Sequence, residues 1–317
     1  MKPTLSVPGN LLMFGEYAVL EQGGLGLACA IAPHVQAYVQ ESRGFSVEGR
    51  IGARGFSWKP GDDRDPGELL SSVASFLETW LEVRGYDIRE LGIHPVIDSS
   101  EFVTESGEKR GFGSSAAATV ALCAVVCEAA GIREPDTVLE AAVGAHRSAQ
   151  GGRGSAYDVA ASFHGGIGLF RGGEEPEWEP VSLPWLPELS LLETGSPASS
   201  AQAVSRYTAW KMSHREEALE FLSRSNRLVS RLAREESWER ARPLVEELAE
   251  HGIALGQSIG VPARVEGKGQ AARAAKNGPC KAVGAGAELV LCFGESETAA
   301  ADACMPVEID GEGCRWH

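Results

Sequence analysis

Gly111-Phe112-Gly113-Ser114-Ser115-Ala116-Ala117 opens a run to Ala130 that is rich in alanine, free of proline and followed by Gly131. That composition predicts a helix over 114–130, apolar almost all round and therefore buried. Two glycines before the helix allow backbone angles that other residues resist. Small residues let a phosphate approach, and a helix N-terminus adds roughly half a positive charge where its free N–H groups point. Ser114 and Ser115 add hydroxyls, and Lys109 and Arg110 stand just upstream as cations. The stretch therefore reads as a phosphate-cradling loop, with a small-residue helix start packed on a sheet as the plain alternative. It is not a Walker loop, because Gly113 stands where a lysine is required.

Outward from this loop, residues 4–20 read as a strand, a turn at Pro8-Gly9 and a second apolar run over Leu11 to Phe14, and the periodicity predicts strands over 25–40, 91–98, 165–170 and 189–193. A hairpin is expected over 45–58. Helices are expected over 69–83, 137–149, 200–211, 214–234 and 238–258. The Gly-, Glu- and Pro-rich stretch 171–187 reads as a linker, and Lys281 to Gly286 as a small-residue turn. The pattern is α+β in two lobes with a boundary near residue 180.

The bulk numbers narrow the function. The 317 residues are 43% hydrophobic and 23% charged, which suits a globular enzyme with a large core. A formal net charge of -15 argues against nucleic acid and anionic membrane as partners. Seven cysteines with no CxxC pair suit a reducing compartment, and no apolar run is long enough for a membrane span. The expected location is cytoplasmic.

Two further segments carry candidate chemistry. In Gln150 to Ala160, glycine-rich sequence leads into another helix, and Asp158 is placed to act on a substrate group as a positioned carboxylate. Ser155-x-x-Asp158 is equally a capping-box pattern. His146 lies on the preceding helix, where substrate contact competes with a surface or capping role. In Thr194-Gly195-Ser196-Pro197-Ala198-Ser199-Ser200, hydroxyls form a candidate second anion site, or supply an N-cap.

Together these segments resemble the GHMP kinases, and the resemblance covers nearly the whole chain. Ser6 to Leu20, with Pro8-Gly9-Asn10 and Gly15-Glu16-Tyr17, is similar to the family's first motif; Gly111 to Ala117 to its ATP loop; Lys281 to Gly286 to its third motif. The approach Ser99 to Ser115, the segment Ala145 to Ala160 and the Thr194 element are most similar to members acting on (R)-5-phosphomevalonate. The resemblance implies a GHMP-kinase-like fold: a ribosomal-S5-domain-2-like ATP-binding lobe over 1–180 and a ferredoxin-like lobe over 181–317. It implies ATP with Mg2+, γ-phosphoryl transfer to phosphomevalonate giving 5-diphosphomevalonate, and a monomer or homodimer. Another small-molecule acceptor, such as mevalonate, and a non-catalytic ligand-binding protein on the same fold stay open.

Carried over by position, Asp158 and Asn10 are catalytic. Lys109, Gly111, Gly113, Ser114, Ser115 and Ala116 bind ATP, with Ser115 helping to hold the metal. His146, Ser155, Ser199, Ser200, Gly284 and Ala285 contact the acceptor. Asn10 stands where the family motif has lysine, so another cation (Lys109, Arg147 or Lys211) is expected to compensate. Val283 replaces a serine, and Ala287-Glu288 replaces a glycine pair. Arg147 to Gln150 occupies the stretch where some members carry a metal-binding glutamate.

Overall fold

The computed structural model describes residues 4–63, 68–104, 107–108, 110–152, 154–193, 200–261, 263, 278–284, 289–294 and 304–317. Within them the chain forms strands β1 (Leu5–Phe14), β2 (Leu25–Glu41), β3 (Val47–Ile51), β4 (Arg54–Trp58), β5 (Ile93–Asp98), β6 (Ile167–Arg171), β7 (Glu177–Pro180), β8 (Leu189–Glu193), β9 (Cys280–Val283), β10 (Leu289–Phe293), β11 (Cys304–Pro306) and β12 (Arg315–Trp316). The helices are α1 (Leu69–Glu82), α2 (Ser114–Ala129), α3 (Pro135–Ala149), α4 (Tyr157–His164), α5 (Ser200–Ser213), α6 (Arg215–Leu232) and α7 (Trp238–Ile259). The architecture is α+β, in two compact units. No helix of the described residues is long and apolar enough to cross a membrane.

The first unit comprises Met1–Asn10, Cys29–Gly166 and Ile309–His317, and the second Leu11–Ala28 and Ile167–Glu308. This differs from a single cut near residue 180. The chain's last residues belong with its first: β12 pairs antiparallel with β1, the Asp310 N–H donates to Ala30, and the Gly166 N–H donates to Asp310.

In the first unit the strand order is β12-β1-β2-β5-β3-β4. β2 runs antiparallel to β5 with Gln36 opposite Asp98, and β3 runs parallel to β5. α1, α2, α3 and α4 pack together, and α2 is covered from Ala116 to Cys127, as expected of a helix without a polar face. One expectation changes here, and one holds. β1 runs straight through Pro8-Gly9 with every residue buried. The glycine serves close approach and not a turn: a Cβ at Gly9 would lie 2.5 Å from the Phe112 carbonyl oxygen. The hairpin expected over 45–58 is present as β3 and β4.

The second unit contains the sheet β11-β8-β10-β9, with β8 against β10 in the register Leu191 to Leu291. Its helical side has a core of Ala203, Tyr207, Phe221, Leu255 and Ile259. The stretch read as a linker instead holds β7, antiparallel to β6, with Gly168 opened for the Trp178 ring. The stretch read as a turn begins with β9. There Lys281 is buried, and its Nζ donates to the Met13 and Ala282 carbonyl oxygens, each at 2.8 Å, and to Glu16 Oε1.

Candidate active site

The loop at the start of α2 has the geometry that a phosphate cradle requires. Gly111 and Gly113 take φ values of 73° and 74°, in the left-handed region. Gly113 is the N-cap of α2 and no side chain caps the helix. The first helical hydrogen bond runs from Ala117 N–H to the Gly113 carbonyl, so the N–H groups of Ser114, Ser115 and Ala116 precede the ladder. Ser115 is exposed, Ser114 half-buried and Ala116 fully covered. Upstream, Arg110 Nε is buried with no hydrogen-bond partner among the described residues. An orphaned cationic donor beside such a loop fits an anionic ligand. Lys109 lies outside the described residues.

Asn10 supports this loop from behind. Its backbone N–H donates to the Phe112 carbonyl at 3.0 Å. Its Nδ2 donates to the Gly113 carbonyl at 3.2 Å and to Ser162 Oγ at 3.0 Å. The side chain is buried, so this residue locks the cradle to α4 and carries no charge into it.

Asp158 is the second residue of α4, whose N-cap is Ala156 at φ 70°. The capping box does not form: Ser155 is not the cap residue, and no side-chain cap bond is made. Asp158 Oδ1 accepts from the Val159 N–H at 2.9 Å, and its other oxygen lies 3.7 Å from His146 Nδ1. His146 is 2% exposed, which removes the surface reading, and its Nδ1 faces Asp158. Ser155 is buried just ahead of this turn. Arg147 and Lys211, expected as compensating cations, are engaged elsewhere. Arg147 binds the Gly154 and Ser155 carbonyls, and Lys211 pairs with Glu21 at 2.6 Å.

Of the remaining expected acceptor contacts, Ser199 and Ala285 lie outside the described residues, as does the side chain of Ser200. Gly284 follows β9 in the second unit with φ 72°. No group of three or more His, Cys, Asp or Glu suited to a metal occurs among the described residues. The Lys281–Glu16 pair was not singled out from sequence. Its one signal was a lysine within an apolar alternation.

A glycine-bounded helix start with free N–H groups, and a carboxylate at the start of a second helix, are groups of the kind that phosphoryl transfer uses. Comparison with known proteins gives a domain and the fold. Residues 71–166 match the family model "GHMP kinases N terminal domain", so the chain carries that domain, and its fold is that of the GHMP kinases. It is 28% identical over 241 residues to a phosphomevalonate kinase of Streptomyces sp. (strain CL190), an alignment spanning 62% of this chain and 63% of that protein. Among solved structures, the Lin0012 protein of Listeria innocua superposes with a TM-score of 0.84 at 22% identity, over 99% of both chains. Streptococcus pneumoniae phosphomevalonate kinase, solved with phosphomevalonate and AMPPNP, gives a TM-score of 0.71 at 18% identity, over 94% of this chain and 93% of that one.

Proposed function

We propose that this chain transfers the γ-phosphoryl group of ATP to the phosphate of (R)-5-phosphomevalonate, releasing 5-diphosphomevalonate and ADP. The observation that carries the reading is the pairing, in one unit, of the Gly111–Ser115 cradle with Asp158 at the head of α4. The relative from Streptomyces favours this acceptor over others in the family.

In this reading the N–H groups of Ser114, Ser115 and Ala116 and the Arg110 guanidinium hold the nucleotide phosphates. Mg2+, when bound with ATP, neutralises developing charge on the transferred group. The Ser115 hydroxyl is the residue that would hold it. Mg2+ commonly keeps several waters and binds substrate phosphates with few protein groups, so a single hydroxyl is a fitting contribution from the chain. A phosphate acceptor is already mostly anionic at neutral pH, so positioning and charge neutralisation outweigh strong base catalysis. That matches an uncharged, structural Asn10. Asp158 takes the acceptor's remaining phosphate proton and orients the attacking oxygen.

The test is ADP release over phosphomevalonate, mevalonate, galactose and homoserine, with wild type and Asp158→Asn. Turnover on phosphomevalonate alone, falling at least about a hundredfold in Asp158→Asn with unchanged melting, is the expected result. Turnover on mevalonate but not phosphomevalonate would replace the acceptor. ATP binding without turnover on any of them would make the chain a ligand-binding protein.

A further inference from the structure

The last turn of α3 touches the loop that delivers Asp158 at several separate points. Arg147 Nε donates to the Gly154 carbonyl at 3.2 Å, and its Nη2 donates to the Ser155 carbonyl at 3.4 Å. Gln150 Oε1 fills the place a Cβ on Gly154 would take. His146, one turn earlier, reaches Asp158 itself. The loop needs this support. Gly154 stands at φ 120°, and Ala156 holds a left-handed angle that a residue with a Cβ resists.

These contacts have a direction. The Gln150 amide nitrogen lies 3.3 Å from His146 Nε2, and an amide nitrogen is only a donor. Nε2 must therefore accept, which leaves the proton of a neutral ring on Nδ1, the nitrogen facing Asp158. Asp158 Oδ2 thus meets an N–H dipole at 3.7 Å, an electrostatic contact just beyond hydrogen-bond length, while Oδ1 is held by the Val159 N–H.

We infer that His146 is a positioning residue, which fixes the plane of the Asp158 carboxylate through Nδ1 and is itself fixed in tautomer by Gln150. The inference rests on the reading of Asp158 given above. A buried ring with Nε2 held by Gln150 and Nδ1 turned to Asp158 has little left for an acceptor, so its effect passes through Asp158. Misplacing a reacting group by about 1 Å costs on the order of a hundredfold in rate.

The experiment is steady-state kinetics with phosphomevalonate on His146→Leu, His146→Asn and Asp158→Asn, with thermal melting of each. Asn places its Nδ2 near the position of Nδ1, whereas Leu fills the space without a donor. The expected result is that His146→Leu lowers kcat about tenfold to a hundredfold with both KM values within about twofold, and that His146→Asn recovers most of the loss. Full kcat in His146→Leu beside an inactive Asp158→Asn overturns the inference and leaves the reading of Asp158 standing. A rise in acceptor KM at unchanged kcat assigns His146 to substrate contact and also overturns it. Equal losses in both His146 variants with lowered melting make the residue structural. Undiminished turnover in Asp158→Asn removes the reading itself.

Discussion

Asn10 stands against Gly113: its Nδ2 donates to the Gly113 carbonyl, and its side-chain atoms occupy the space into which a Cβ on Gly113 would project. The two residues are 103 positions apart and specify each other. Gly113→Ala would set a methyl 2.2 Å from Asn10 Nδ2 and demand a left-handed alanine. The expected cost is about 2–4 kcal/mol, of which the backbone angle alone contributes about 1–2 kcal/mol. Urea unfolding of Gly113→Ala, and of the same change with Asn10→Ala, checks this. The second substitution should return the steric part only.

Ser115 is exposed at the opening of α2, so Ser115→Ala should leave the melting temperature nearly unchanged. Loss of one hydroxyl contact to Mg-ATP is worth about 1 kcal/mol, or roughly a fivefold rise in KM for ATP. A titration of ATP at saturating acceptor measures it, and an unchanged KM would remove Ser115 from the nucleotide site.

The Lys281–Glu16 pair should behave as a buried ion pair. Burial raises the Glu16 pKa from its ordinary value of 4.5, and the Lys281 charge and hydrogen bond oppose the rise. Lys281→Met removes that opposition and strands the carboxyl, so a loss of about 3–5 kcal/mol is expected, with Glu16→Gln added on top restoring much of it. The pH dependence follows. With the folded-state value above the unfolded one, the folded chain keeps its proton longer, so the variant is most stable below about pH 4.5 and loses stability as pH rises through the folded-state value. Unfolding midpoints measured from pH 4 to 8 test the slope.

Asp310 gives the opposite sign. Burial pushes its carboxyl up, but hydrogen bonds from His34, the Gly313 N–H, Arg315 and the Glu312 N–H together hold it at about 2, below the ordinary 3.8. The unfolded chain therefore takes up the proton first on acidification. This stabilisation is present above about pH 3.8 and is lost as pH falls through about 2. After solvent screening it amounts to about 1 kcal/mol. Asp310→Asn should unfold with a flatter pH profile between pH 4 and 2.

The loop and the helix behind it were legible because their signal is local: two glycines, small residues and an uninterrupted alanine-rich run. The segment before Asp158 was legible for the same reason. What the sequence hid depends on contacts between distant residues. Pro8-Gly9 reads as a turn until Phe112 is seen lying against Gly9. The 171–187 stretch reads as a linker until β7 finds β6. The approach of His146 to Asp158 is invisible until α3 and α4 meet, and Lys281 reads as part of a turn until it reaches Glu16. Ala156 gives no hint of its left-handed angle, because the restraint comes from its neighbours' contacts.

The tail at 309–317, fastened to β1 by β12 and to Ala30 and Gly166 by Asp310, has a consequence for the order of synthesis. A ribosome releases β1 about three hundred residues before the strand that completes its edge. The first unit therefore spends most of translation with an open margin on β1, and it reaches its final form only after the whole of the other unit has been made.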